Sequence, residues 1–426
     1  MKRFIYPEPA QWPQLLARPV LKTEDLERTV SDIIREVQTN GDSALRTYTA
    51  RFDRVELTDL EVSANEIRRA TEDVPESLKA AIQIAYENIT AFHRAQQTPD
   101  LFVDTMPGVR CCRKSRPIEK VGLYIPGGTA PLFSTVLMLG IPAVLAGCRD
   151  IVLCTPPDLS GSVNPVILYT AQLIGITRIF KIGGVQAIAA MAFGTESVPQ
   201  VYKIFGPGNQ YVTAAKQMVS RMGVAIDMPA GPSEVLVCAD NTADPTFVAA
   251  DLLSQAEHGI DSQVVLLAMD PAFIDQTERE INRLLDTLPR KDIARKALEH
   301  SLAIVPRDRE EALQIINAYA PEHLILALKD VDTMADGVVN AGSVFLGNYT
   351  PEAAGDYASG TNHTLPTNGF ARAFSGVSLD SFQKKITFQR VSQDGLRQLG
   401  PAVEAMAEAE QLEAHKLAIR VRMQTL

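Results

Sequence analysis

From about residue 23 to 100, charged and apolar positions alternate at helical spacing, as in TEDLERTVSDIIREVQTNGDSALRTYTARFD. Thr23 and Gly41 bracket the first of these helices as N-cap and C-cap signals. After residue 116 the texture changes. Short apolar runs (VGLYIP, DIVLCTP, RIFKIGG, VYKIFGPG, EVLVCAD, QVVLLAMD) alternate with Ala-rich helical stretches. Strands alternating with helices predict βαβ units and parallel sheets. The runs fall into two blocks, about 120–232 and from about 233 past 345, the second continued by SLAIVPRD, HLILAL and AGSVFLG. From about residue 380 the chain is polar and predicted helical, ending in AVEAMAEAEQLEAHKLAIRVRMQ.

Composition narrows the class. A chain of 426 residues has room for several cores, and 46% hydrophobic with 22% charged residues is ordinary for a globular protein. A net charge of −10 argues against a nucleic-acid surface, which needs clustered Lys and Arg. Five cysteines without regular spacing read as reduced thiols, and adjacent Cys111 and Cys112 make no zinc knuckle by themselves. The start, MKRFIYPEPAQW, lacks the apolar core of a signal peptide. The stretch TVLMLGIPAVLAG is too short for a membrane span and contains Pro142. These features lead us to expect a cytoplasmic enzyme of small molecules, with no nucleic-acid or membrane partner.

The stretch SQAEHG closes a predicted helix and puts Gln255 and His258 at i and i+3, on one face. Alone, that pair reads as a hydrogen bond at a helix end. Of the other histidines, His93 and His300 read as surface or packing residues. The remaining three occur in polar contexts: Glu322 with His323 in APEHLIL, Asp356 and His363 in GDYASGTNHTLPT, and Glu410 with His415 in EAEQLEAHKLA. A histidine beside a carboxylate is a candidate acid/base unit, and scattered His, Asp and Gln side chains can close a metal site. Spacing leaves a metal enzyme and ordinary hydrogen bonding equally open. GPGNQY, IPGGTAP and KIGGVQAIA each follow an apolar run without completing a GxGxxG fingerprint, so each alone is a plain turn.

The stretches VGLYIPGGTAPLFSTVLML, GGVQAIAAMAFGTESVP, KIFGPGNQYV, DMPAGPSEVLV, DLLSQAEHG, PEHL and GDYASGTNHTLPT occur in this order. Together they resemble the histidinol dehydrogenase family over nearly the whole chain. The resemblance implies oxidation of L-histidinol to L-histidine through histidinal, with two NAD as cosubstrate and one zinc per subunit, as the last step of histidine biosynthesis. It implies zinc ligands at Gln255, His258, Asp356 and His415 and an acid/base pair at Glu322 and His323. Substrate contacts fall on Ser233, Gln255, His258, His323, Asp356, Glu410 and His415, and NAD contacts on Tyr124, Gln186 and Asn209.

The fold expected is α/β: two Rossmann-like parallel-sheet domains with helical N-terminal and C-terminal extensions. Residues 1–20 would form an arm, and 21–123 plus 233–377 a larger domain holding metal and substrate. Residues 124–232 would be an inserted NAD domain, and 378–426 a helical tail reaching the partner subunit in a homodimer with shared sites. Glu322 and His323, if helical, would point about 100° apart and flank one carbon; Glu410 and His415 would lie roughly 140° apart unless their helix breaks. Cys112 and Cys148 invite a thiohemiacetal route, set against inert buried thiols. Two other functions compete: oxidation of another amino alcohol on the same scaffold, and non-catalytic zinc binding. A panel of alcohols separates the first. The presence of Glu322–His323 beside all four ligands argues against the second.

Overall fold

A computed structural model describes residues 1–18, 24–127, 131–229 and 231–426. Thr23, with its expected cap, and residues 128–130 of IPGGTAP lie outside the described residues. The chain opens with strand β1 (Lys2–Ile5), which the sequence analysis does not anticipate. The expected helices follow at Glu24–Phe52, Ala64–Asp73 and Glu76–Ala95. Gly41 (φ 49°, ψ −130°) interrupts the first of them, so the anticipated stop is a break from which a second helix restarts.

Strands β2 (Leu101–Met106) and β3 (Val109–Pro117) then form an antiparallel hairpin. Next come β4 (Lys120–Tyr124), β5 (Asp150–Thr155), β6 (Arg178–Lys181), β7 (Lys203–Phe205) and β8 (Ala225–Ile226). They make one parallel sheet in the order β6-β5-β4-β7-β8. Strands β9 (Glu234–Ala239), β10 (Gln263–Ala268), β11 (Leu302–Val305), β12 (His323–Ala327) and β13 (Ser343–Leu346) repeat that order as β11-β10-β9-β12-β13, with β1 parallel along β11. Each sheet therefore has the half-Rossmann arrangement in which the first strand is central and chain direction reverses beside it. Every position of β9 and β10 is buried, which is why both read as unbroken apolar runs rather than alternating ones.

Two expectations need correction. Residues 383–391, expected to be helical, form strand β14 (Gln383–Val391), antiparallel to β3; the tail turns helical only at Gln393–Ala409 and Glu413–Met423. The sequence QKKITFQRV is mostly exposed, so its strand state comes from a partner about 270 residues earlier and not from a buried apolar face. The second concerns residues 24–95, grouped above with the 233–377 domain. Val30, Ile34 and Leu45 share a core with Phe180 and Ile188, and Ile67, Ile82 and Ile89 share one with Leu137 and Leu168. These helices thus cover the five-stranded sheet. Helical periodicity says that a face is buried, not which sheet buries it.

Candidate active site

Helix Arg309–Tyr319 ends on Ala320 in the left-handed region (φ 53°, ψ 65°), a conformation that costs a non-glycine residue about 1–2 kcal/mol. Pro321 follows, and His323 opens β12. Glu322 and His323 are therefore at a strand start, not on a helix as the geometric argument above assumed. Both meet the first residue of β9. The Glu234 N–H donates to Glu322 Oε2 at 2.9 Å, and the Glu234 carbonyl lies 3.3 Å from His323 Nδ1. Three carboxylates surround the imidazole: Glu322 Oε2 and Glu352 Oε1 each 3.7 Å from Nδ1, and Asp356 Oδ1 3.4 Å from Nε2. The Asp356 contact lacks hydrogen-bond geometry, and the buried Nε2 has no hydrogen-bond partner among the described residues.

Electrostatics follow from burial with these neighbours. Burial pushes the Glu322 carboxyl up to about 7, against the pull of His323. Burial alone would lower the His323 imidazole, but Glu352, Glu322 and Asp356 outweigh it and hold the proton on well above the usual range. Burial raises Glu352 well above an ordinary carboxyl. It would also lift Asp356, yet His323, His363 and His258 hold that carboxylate below its usual value. A buried acid that stays charged beside one that holds its proton is a common way to separate acid and base roles.

Gln255 is fully buried at the end of helix Pro245–Ala256. With its amide oxygen accepting from Glu234 N–H (3.1 Å), its NH₂ donates to Glu352 Oε1. In the other orientation its oxygen faces Glu352 Oε1, an acceptor pair that needs a proton or a cation between them. His258, two residues past the helix, sits at the rim. Protein surrounds it on most sides, and burial lowers its pKa, yet part of its surface stays open to solvent. His323, Glu352 and Asp356 themselves lie close enough to share one ion. Short helix Glu352–Tyr357 brings Glu352 and Asp356 there one turn apart. It can do so because Gly355 packs where a Cβ would come within 2.6 Å of the Phe345 ring of β13. Amide oxygen, imidazole and carboxylate donors around a polar centre suit a borderline-soft divalent metal. Glu352 is absent from the residues singled out above; its i, i+4 spacing to Asp356 is the signal that could have found it.

Glu322–His323 occupy the amino ends of strands β9 and β12, where the usual expectation for a parallel sheet is its carboxyl edge. The expected cofactor residues do lie at the carboxyl edge of the other sheet. Tyr124 ends β4, and its hydroxyl accepts from Gly184 N–H at 3.1 Å at the start of helix Gly184–Phe193. Gln186, in that helix's first turn, is 1% exposed, and its Oε1 has no partner among the described residues. Asn209 caps helix Gln210–Arg221 through Oδ1, which leaves its amide NH₂ outside the cap. Gly206 (φ 130°) crosses so near β4 that a Cβ there would strike the Tyr124 carbonyl. Tyr124 and Asn209 thus flank the β4/β7 reversal, the crevice where parallel sheets bind dinucleotides. The two edges meet through segment 362–364: Asn362 Nδ2 donates to the Met138 carbonyl (2.6 Å), and His363 lies 3.1 Å from Thr135 Oγ1 while its Nδ1 is 2.8 Å from the Asp356 carbonyl.

The remaining expected residues divide. Ser233 immediately precedes Glu234, and its carbonyl accepts from Gln263 N–H at the edge of the site. Glu410 and His415 are exposed on the C-terminal tail, and the metal-competent group among the described residues includes neither His258 nor His415. Their helix does break between them. Gln393–Ala409 ends, Glu410 caps it, Gln411 is left-handed (φ 59°), and Glu413–Met423 begins.

The thiohemiacetal route loses its thiols. Cys112 lies in β3 between Phe102 of β2 and Phe388 of β14. Burial pushes the Cys148 thiol up to about 12, with Sγ near the Phe382 carbonyl. Cys112→Ala and Cys148→Ala should each keep turnover within roughly threefold of wild type. A loss of several orders of magnitude in a folded variant would restore sulfur as the nucleophile.

Comparison with known proteins places this architecture. The profile of a family described as Histidinol dehydrogenase matches residues 16–423. The chain is 60% identical over 426 residues to a histidinol dehydrogenase of Bacteroides fragilis, covering 100% of both. It is 53% identical over 416 residues to one from Escherichia coli, covering 97% of this chain and 95% of that one. The crystal structure of histidinol dehydrogenase from Elizabethkingia anophelis superposes with a TM-score of 0.98 at 57% identity, over 100% of this chain and 98% of that one. Matched by the family profile over residues 16–423 and 53–60% identical to these relatives over almost its whole length, the chain belongs to the histidinol dehydrogenase family.

Proposed function

We propose that this protein oxidises L-histidinol to L-histidine through histidinal, a four-electron oxidation using two NAD, as the last step of histidine biosynthesis in the cytoplasm. The observation that carries this reading is the Glu322–His323 pair set against Glu352 and Asp356, with Gln255 on Glu352. Zinc, one per subunit, fits Gln255, His258 and Asp356; when bound it supplies a template for the substrate's imidazole and amine nitrogens. NAD fits the edge formed by Tyr124, Gln186 and Asn209, where the unpartnered Gln186 oxygen awaits a donor, and it supplies the hydride acceptor.

The protein's own groups handle the protons. His323 first releases the proton that Glu352, Glu322 and Asp356 hold on it, and in its neutral form then takes the hydroxyl proton of histidinol as the carbinol C–H leaves with its electron pair. Glu322, as the carboxylate, takes a proton from the water that adds to the aldehyde carbon. His323 then accepts the hydroxyl proton of the hydrate in the second oxidation. Ser233 lines the substrate side.

Exposed apolar residues support a homodimer with shared sites. Phe102, Phe388, Met406, Leu412, Leu417 and Val421 are 43–66% exposed along the three-stranded sheet and the tail, more than scattered surface residues need. Glu410 and His415 lie on that same tail, so a partner's copy would complete the ligand set at the open rim by His258. No described helix is long and apolar enough to cross a membrane.

The direct test is NADH formation with L-histidinol beside a panel of other amino alcohols and diols. Exhaustive chelation should bring activity to background, with about one Zn²⁺ per chain restoring it. Full turnover by rigorously metal-free protein rejects the zinc assignment, and a better substrate in the panel rejects histidinol.

A further inference from the structure

Arg18 lies outside the cluster yet grips both backbone segments that carry it. Its Nε donates to Glu234 Oε2 and its Nη2 to Glu234 Oε1, each at 2.8 Å. Nη2 also donates to the Tyr319 carbonyl at 2.6 Å, and the guanidinium lies 3.8 Å over the Tyr319 ring. The Tyr319 hydroxyl donates in turn to Gln263 Oε1 at 2.9 Å. Glu234 is 1% exposed, so this is a buried, two-point ion pair.

Each gripped segment leads to the catalytic pair. Glu234 holds Glu322 through its own N–H and faces His323 Nδ1 with its carbonyl. Tyr319 is the last residue before the left-handed Ala320 turn that launches Pro321, Glu322 and His323. We infer that Arg18 is a positioning residue for Glu322 and His323, fixing the start of β9 and the turn before β12 against each other. A planar fork suits the task because it satisfies a carboxylate bidentately and still reaches a carbonyl; an ammonium offers one point charge. Without Arg18, the buried Glu234 side chain loses its two-point partner and must move towards water, and its backbone moves with it.

The functional arm of the test rests on the proposed histidinol oxidation. Arg18→Gln and Glu234→Gln should lower kcat per folded chain by roughly 10- to 100-fold, the usual cost of an outer-sphere partner, with KM for histidinol changed less than about threefold. Arg18→Lys should recover part of that loss. Amide hydrogen exchange at residues 319–324 should speed up in Arg18→Gln while the rest of the six-stranded sheet stays protected, a local change that uniform destabilisation does not produce. Normal kcat per folded chain in both Gln variants overturns the inference, as does a kcat loss without faster exchange at 319–324. If Arg18→Gln does not fold, the isosteric Glu234→Gln decides by the same two readouts. If the wild-type protein does not oxidise histidinol, the functional proposal falls, and exchange at 319–324 alone still decides the positioning role.

Discussion

Glu322→Gln will separate the two oxidations that His323→Asn impairs together. His323 lies within 3.7 Å of three carboxylates, and in the proposed reaction it takes a hydroxyl proton in each oxidation, so its loss should cost both half-reactions roughly 10²–10⁴-fold. In the proposed reaction Glu322 acts only where water is activated. In Glu322→Gln, oxidation of added histidinal should fall by a similar factor while the first hydride transfer from histidinol falls far less. The pH dependence has a definite sign. The carboxyl sits at about 7 because it is buried, and the base form is the ionised one, so histidinal oxidation in the wild type should weaken as pH drops through about 7. That inflection should vanish in Glu322→Gln. Single-turnover measurements of each half-reaction check both points, and equal losses in the two steps would refute this division of labour.

The second large effect concerns His415. Chains carrying His258→Asn and chains carrying His415→Asn should each be inactive; unfolded together and refolded as an equal mixture, they should regain activity. In a mixed dimer with exchanged tails, one site inherits both lesions, while the other receives an intact His258 and an intact His415. Random pairing makes about half the dimers mixed, so roughly a quarter of all sites should recover. The tail's exposed apolar residues and the exposed positions of Glu410 and His415 motivate the experiment. Activity that stays at the level of the parents, with mixed dimers shown to be present, would reject a ligand from across the interface.

Several elements were legible in the chain for a physical reason. The central strands of both parallel sheets are covered on two faces, so they must be continuous apolar runs, and VGLYIP, EVLVCAD and QVVLLAMD stand out without any knowledge of their partners. A helix end is equally local: SQAEHG ends a helix at Ala256. Strands β1 and β14 were not legible. Each is an exposed edge whose strand state comes from hydrogen bonds to β11 or β3, hundreds of residues away.

The same division runs through the site. Motif order carried the family, and with it Gln255, His258, Glu322, His323 and Asp356, because those residue types sit in short stretches whose local turns the chain itself encodes. Glu352 and Arg18 escaped. The one-turn spacing of Glu352 to Asp356 in PEAAGD hints at a pair but not that it meets His323, and nothing in the N-terminal arm marks an arginine destined for Glu234, 216 residues later. What the sequence determined by itself is therefore most of the helices and buried strands and the chemical kinds of group near each turn, since these depend on neighbours within a few residues. Only the tertiary structure decided which carboxylates share His323, which sheet the N-terminal helices cover, and that the cluster forms at the amino ends of β9 and β12. Those outcomes depend on which surfaces become buried against each other, and burial is a property of the packed chain.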